Sequence, residues 1–153
     1  GAERWDLAVD AAVALEAQWP EIVPQLEYWD NNVAWAIFRA RADDPAAIQE
    51  GLRRVRTELK QRPDDPVVRN TLGLGLYRDK QFDLAETVLR DLMKGANDEE
   101  LANDVFIHVL CLLGLGRDAD AKAEYEAHQG IEGGELRGEA EAALIERGLL
   151  QSR

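Results

Sequence analysis

The chain has 153 residues, enough for one domain with an apolar core, and 46% hydrophobic against 31% charged residues indicates a globular protein rather than a disordered one. Its formal net charge of −12 argues against a nucleic-acid-binding protein, because each neutralised phosphate requires a Lys or an Arg. The apolar runs are too short to cross a bilayer, so we expect no membrane insertion by this segment.

Apolar residues recur at intervals of three and four along the chain, which is the helical period. Pro, Gly, Asn and Asp interrupt this pattern at regular places, as they do at the ends of helices. The sequence therefore predicts eight helices joined by short loops, with neighbours packed antiparallel. The predicted helices cover residues 3–18, 24–42, 45–61, 66–79, 82–95, 98–114, 118–128 and 134–148.

The third and fourth helices have the clearest predicted starts. Each follows the sequence Asp-Asp-Pro, at residues 43–45 and 64–66. An Asp before a helix accepts hydrogen bonds from the free N–H groups of the first turn. Pro fits that turn because the N–H it lacks would have no partner there. Both motifs therefore predict capped helix starts.

A small residue recurs near the centre of every second predicted helix. These four residues, Ala8, Gly51, Ala85 and Ala121, follow one another at spacings of 43, 34 and 36. Larger apolar residues flank each of them at helical steps. A small residue in such a stripe lets a neighbouring helix approach closely. The near-constant spacing predicts repeated helix pairs.

In these features the chain resembles the tetratricopeptide repeat, a family of helix pairs about 34 residues long. The first full repeat is matched by Trp35, Ile48, Gly51, Val55 and Pro63; the second by Leu72, Gly73, Leu76, Phe82, Ala85 and Leu89; and the third by Val105, Leu112, Gly116, Ala121 and Tyr125. Trp5, Ala8, Ala12, Leu15 and Pro20 match only the second half of a repeat. Lys80 departs from the pattern, since the family usually has Gly at that turn.

The resemblance implies an all-α fold, a right-handed α-solenoid of antiparallel helix pairs. We expect about three full repeats, an N-terminal half repeat and a C-terminal capping helix. The resemblance covers nearly the whole chain, so we expect residues 1–153 to form a single domain. The opening half repeat suggests a fragment of a longer protein.

The resemblance also implies a concave groove that holds a peptide or helix of a partner protein. Carried over residue by residue, the groove is formed by Asn70, Leu74, Tyr77, Arg78, Phe106, Leu110 and Leu113. Asn70 would hydrogen-bond a peptide backbone, while the aromatic and leucine side chains would offer apolar area. An alternative is that this face is covered by the inserted segment 22–31 or by a second copy, which leaves homo-oligomerisation open.

Catalytic and metal chemistry have little support in the sequence. Gly73 and Gly75 resemble part of a nucleotide-binding loop, but they lie inside a helical run and complete neither known motif. The two histidines, His108 and His128, are far apart, and Cys111 is the only cysteine. We therefore predict no catalytic residue, no metal and no cofactor. Cys111 is expected to be a buried thiol, which does not separate a cytoplasmic from a periplasmic protein.

Binding remains as the predicted function. We expect a non-catalytic protein–protein interaction module, an adaptor or scaffold of bacterial origin, that binds a partner on an apolar concave groove. Two alternatives are a small acidic chaperone of the secretion type and a regulatory domain of a larger enzyme.

Overall fold

A computed structural model describes residues 2–94, 96 and 98–151, without the side chains of residues 2 and 98–100. The chain is all-α in this part, with eight α-helices, one short 3₁₀ helix and no strand, which confirms the all-α part of the prediction. The α-helices are α1 (Ala2–Gln18), α2 (Trp29–Ala40), α3 (Pro45–Gln61), α4 (Pro66–Arg78), α5 (Phe82–Met93), α6 (Asp98–Gly114), α7 (Asp118–His128) and α8 (Arg137–Glu146). The 3₁₀ helix is Val23–Gln25.

The two Asp-Asp-Pro motifs start helices as predicted. The Asp44 carboxylate accepts hydrogen bonds from the backbone N–H groups of Ala46 and Ala47, at 2.9 and 3.2 Å. The Asp65 carboxylate caps α4 in the same way. Such caps satisfy N–H groups that the helix itself leaves free, so α3 and α4 begin where the local sequence directs.

The second helix begins at Trp29 rather than at residue 24. Residue 28, a tyrosine, has φ of 56°, in the left-handed region that interrupts a right-handed helix. The residues before it form the single 3₁₀ turn Val23–Gln25 instead of a helical extension. The last helix is also shorter than predicted, since α8 spans Arg137–Glu146 rather than 134–148.

The chain divides into two compact units, residues 1–79 and 80–153. In the first unit α2 packs against α1, α3 and α4, and α3 also packs against α4. The 3₁₀ helix contacts α1 and α2. In the second unit α6 packs against α5, α7 and α8. Each unit is thus built around one central helix, α2 in the first and α6 in the second.

Phe38 lies at the centre of the first unit, where its side chain is fully buried. Two glycines make room for its ring: a Cβ atom at Gly51 or at Gly75 would lie 2.5 Å from the nearest ring carbon. A residue with a side chain at either position would force the helices apart, because a packed interior has no spare volume. Gly75, one of the two glycines that resemble a nucleotide-binding loop, is therefore a contact between helices.

Candidate functional site

The predicted groove residues of the second unit lie in its interior. Phe106, Leu110 and Leu113 of α6 are all buried. The segment between α7 and α8 covers Phe106: a Cβ at Gly134 would lie 2.6 Å from the Phe106 Cδ2 atom, and the Arg137 guanidinium lies 5.5 Å from the ring centroid. These three side chains offer no surface to a partner in this conformation.

In the first unit the predicted groove residues are divided between interior and surface. Leu74 is fully buried, whereas Asn70, Tyr77 and Arg78 are half-buried. Arg78 Nε donates to the Phe38 carbonyl at 3.1 Å, and its guanidinium lies 5.3 Å from the Tyr77 ring centroid. The contacts of Arg78 hold it beside α2. A partner-binding role for Asn70, Tyr77 and Arg78 stays a prediction.

The inserted segment is fixed against the start of α4. The Tyr28 hydroxyl donates to the Asp65 carboxylate at 2.5 Å, and the Arg62 guanidinium lies 4.3 Å from the Tyr28 ring centroid. This hydrogen bond lowers the pKa of Asp65 and raises that of Tyr28, because it stabilises the ionised carboxylate and the protonated phenol. One carboxylate therefore caps α4 and also holds the segment.

The inner face of α1 combines an apolar contact with ion pairs. Val9 and Ala12 are buried. Beside them the Arg41 guanidinium lies 3.1 Å from the Asp10 carboxylate and 3.5 Å from that of Asp6. These contacts determine which side of α1 faces the unit and which side faces outward.

A buried arginine lies where α1, α2 and α3 meet. The Arg54 guanidinium binds both carboxylate oxygens of Glu16, at 2.6 and 2.9 Å, and also contacts Asp30 at 3.1 Å and Glu50 at 2.8 Å. The Trp29 indole N–H donates to Glu16 at 2.7 Å. Arg54 lowers the pKa of Glu16, while Glu16 raises the pKa of Arg54. The network fixes α1 in place on the other two helices.

The outer face of α1 is apolar and exposed between Arg4 and Gln18, which lie on the same side of the helix. It consists of five residues on one side of the helix, which we call the α1 outer face: Leu7, Ala8, Ala11, Ala14 and Leu15. Leu7 is 71% exposed and Leu15 is 42% exposed. The sequence pattern grouped Ala8 and Leu15 with Ala12 on one packing stripe. The structure buries Ala12 and leaves the other two on the surface, so periodicity alone missed this face.

The exposed apolar residues continue beyond α1. Trp19, Ile22 and Leu26 are 49%, 56% and 50% exposed. Of the nine large hydrophobic side chains exposed in the described part of the chain, six lie between Leu7 and Leu26. This segment thus holds most of the accessible large apolar side chains of the described chain.

The second unit contains a buried histidine between two carboxylates. His108 Nε2 lies 3.6 Å from a Glu86 oxygen, and its Nδ1 lies 3.5 Å from a Glu124 oxygen. Neither ring nitrogen forms a hydrogen bond. Burial and the charge of Glu86 raise the pKa of the Cys111 thiol to about 12, so this thiol stays protonated and is a poor nucleophile. Among the described residues no three His, Cys, Asp or Glu side chains converge as a metal site.

Comparison with family models, with curated proteins and with solved structures finds no match to this chain. Among the described residues, no helix has the length and apolarity needed to cross a membrane. The function is therefore inferred from the chain's own surface and packing. The α1 outer face and the apolar residues that follow it form the exposed surface that most clearly favours an apolar ligand.

Proposed function

We propose that this chain is a non-catalytic protein-interaction module of the tetratricopeptide-repeat type, a right-handed solenoid of antiparallel helix pairs. The order of helix packing supports this proposal. In the first unit α2 contacts α3 and also α4, and in the second unit α6 contacts α7 and also α8. Stacked helix pairs require such contacts, since the first helix of a pair meets its own partner and the first helix of the next pair.

The register of small residues supports the same proposal. Gly51, Ala85 and Ala121, which occupy matching positions of α3, α5 and α7, are all buried. The resemblance places Lys80 and Gly116 at the turn within a pair, and both have a positive φ, of 60° and 71°. Left-handed backbone is unusual for a lysine, so its presence at Lys80 favours the same turn geometry at both positions over coincidence.

One observation carries the interaction function: the exposed apolar side chains are concentrated between Leu7 and Leu26. Scattered exposed leucines are ordinary, but a concentration of them is typical of a surface that binds another protein. The proposed binding surface is therefore the α1 outer face, together with Trp19, Ile22 and Leu26. A protein helix or peptide is the partner we propose.

Paired surface variants test this function. The double variant Leu7→Ser, Leu15→Ser removes apolar area from the α1 outer face, while Val67→Ser, Leu84→Ser removes similar exposed side chains elsewhere. We expect specific partners captured from cell extract by the wild type and by the second variant to be lost with the first. The measurement is quantitative mass spectrometry of the captured proteins.

Two other results would contradict the choice of α1 as the binding surface. Equal capture by both double variants would contradict a binding surface on α1. Loss of capture on Asn70→Ala or Tyr77→Ala, with α1 variants unaffected, would place binding on the predicted groove instead.

A further inference from the structure

The segment between α7 and α8, residues 129–136, lies over the Phe106 side chain of α6. We call this segment the strap. A Cβ at Gly134 would lie 2.6 Å from the Phe106 Cδ2 atom and would also overlap the carbonyl oxygen of Ala102. The strap therefore approaches α6 at a place that admits backbone but not a side chain.

The α6 surface beneath the strap is held by helices. The Phe106 ring contacts the Tyr125 ring of α7, with centroids 6.4 Å apart, and the Tyr125 hydroxyl donates to Glu141 of α8 at 2.6 Å. Leu110, one turn further along α6, is also buried. Because these contacts come from neighbouring helices, the surface around Phe106 should persist when the strap is displaced.

The strap itself contributes little apolar cover. Ile131 is the single large apolar residue among residues 129–135, and its side chain is buried. Leu136 is buried too, but it belongs to the start of α8, since its carbonyl accepts a hydrogen bond from the Ala140 N–H at 3.0 Å. Residues 129–135 can therefore open without unfolding α8, and a segment with few apolar contacts opens at a low free energy.

Two glycines and one arginine fix the position of the strap. Gly133 and Gly134 have φ of 93° and 83°, which is left-handed backbone that glycine adopts without strain. The Arg137 guanidinium donates to the carbonyl of Ile131 at 2.7 Å and to that of Gln129 at 3.0 Å. The glycines thus let the strap turn onto α6, and Arg137 joins its beginning to the first residue of α8.

The contacts of the strap indicate what kind of ligand fits in its place. The Glu135 N–H donates to the Asn103 side chain at 3.1 Å, a bond that the backbone of any extended peptide can form. Ile131 supplies an apolar side chain three positions before the glycine that meets Phe106. An extended peptide with an apolar residue three positions before a glycine therefore reproduces these contacts.

We propose that the strap is an autoinhibitory cover: it occupies, within the chain, a surface of α6 that binds an extended partner peptide of this pattern. Loss of the Arg137 bonds releases the strap, and the partner's peptide takes its place over Phe106. The second unit thus has a binding site that stays closed until a competing peptide displaces the strap. This site is separate from the α1 outer face, which lies in the other unit.

Matched glycine variants of the full chain test this role. Gly134→Ala places a Cβ against Phe106, and we expect the overpacked strap to be displaced. Gly133→Ala is the control, because its φ is as unfavourable for alanine but nothing lies within 4 Å of the added Cβ. The probe is a synthetic peptide of residues 129–137, QGIEGGELR.

The measurement is a titration of each chain with this peptide, followed by the chemical shifts of the α6 amides. We expect at least about tenfold tighter binding to Gly134→Ala than to the wild type or to Gly133→Ala, since a site that is mostly closed loses apparent affinity in proportion. The same peptide with alanine in place of its last glycine should not bind any of the three chains.

A second variant opens the strap without adding bulk. Arg137→Gln removes the guanidinium that bonds the Ile131 and Gln129 carbonyls, and we expect it also to bind the peptide more tightly than the wild type does. Arg147→Gln is its control, because the Arg147 guanidinium pairs with Asp118 at 2.6 Å instead of with the strap. Circular dichroism measures the helix content of every chain.

Each of the following results would overturn the proposal. Loss of helix content in both Gly134→Ala and Arg137→Gln would show that the strap is part of the fold and not a removable cover. Binding to these two variants that is no tighter than to the wild type would exclude a closed site on α6. Equal binding of the alanine-containing peptide would exclude the requirement for glycine. Sedimentation showing that Gly134→Ala dimerises would make the strap of a second copy the occupant, in place of a partner's peptide.

Discussion

Each unit of this molecule buries a nitrogen-bearing side chain among carboxylates, but the two are bonded very differently. In the first unit the Arg54 guanidinium donates hydrogen bonds to Glu16, Asp30 and Glu50. In the second unit His108 lies between Glu86 and Glu124 at distances of 3.6 and 3.5 Å, with no hydrogen bond to either ring nitrogen.

The difference follows from the chemistry of the two groups. A guanidinium is always charged and has five N–H donors, so it satisfies several carboxylates at once. An imidazole has two donors only when it is protonated. The centre of the first unit is therefore held by charge-assisted hydrogen bonds, whereas no hydrogen bond joins the His108 ring to the carboxylates around it.

The largest effect on stability is expected when the Arg54 ion-pair network of the first unit is removed. Arg54→Met leaves Glu16, Asp30 and Glu50 without their shared cation, and we expect a loss of about 3 kcal/mol in the free energy of unfolding of the first unit. All four tryptophans, Trp5, Trp19, Trp29 and Trp35, lie in this unit. Urea unfolding followed by tryptophan fluorescence therefore measures its stability.

Arg53→Met is the matched control. Its side chain is 60% exposed and pairs with Glu50 at 2.7 Å, so its loss should change stability by no more than about 0.5 kcal/mol. Equal effects of the two substitutions would show that the Arg54 network is no more than a surface ion pair.

A smaller effect is expected at the centre of the second unit. His108→Leu removes no hydrogen bond from the ring nitrogens, and Glu86 keeps Arg90 at 3.0 Å and Arg117 at 3.6 Å. We expect a loss of less than about 1 kcal/mol, since the substitution also removes two unsatisfied buried atoms. Hydrogen exchange of the α6 amides measures the stability of this unit.

Leu112→Ala, at a buried position of the same helix, provides the reference for that experiment. Truncating a buried leucine costs about 2 kcal/mol or more, so the α6 amides should exchange markedly faster in this variant. If His108→Leu accelerates exchange as strongly, the contrast between the two centres is wrong.

The smallest predicted effect concerns pH. His108, and more weakly His128, lowers the pKa of Glu124 from its ordinary value of 4.5. A carboxyl whose pKa is lowered by folding adds stability above the unfolded pKa, and that stability is lost as pH falls through the folded pKa. The second unit should therefore lose stability on acidification, by about 1 kcal/mol or less through this group.

Thermal melts at a series of acidic pH values measure this loss. In Glu124→Gln the pH dependence of stability that arises from this carboxyl should disappear. The melting temperature of the variant should therefore change less with pH than that of the wild type. Glu126→Gln, at an exposed position of the same helix, should keep the wild-type profile. A Glu124→Gln profile identical to that of the wild type would contradict the coupling to His108.

Most helix boundaries could be predicted because their determinants are local. Asp44 and Asp65 cap helices whose starts are determined by the adjacent residues. The start of α2 was missed because Tyr28 is held in a left-handed conformation beside Asp65, a residue 37 positions away. A contact between distant residues overrode a local pattern that favoured helix.

The candidate site was harder to predict for the same reason. Phe106 has the residue type and position of a groove aromatic, yet the segment around Gly134 covers it. Leu15 has the spacing of a core residue, yet it is exposed on α1. Periodicity indicates that a helix has an apolar side. Which side is covered depends on packing partners that the period does not identify.

Gly134 also has a consequence for the order in which the second unit can be completed. During synthesis, Phe106 emerges from the ribosome about 30 residues before the glycine that closes over it. Until then α6 lacks the cover over this aromatic side chain, although α5, its earlier neighbour in the chain, is already present. The cover of Phe106 can therefore form only after most of the second unit has been synthesised.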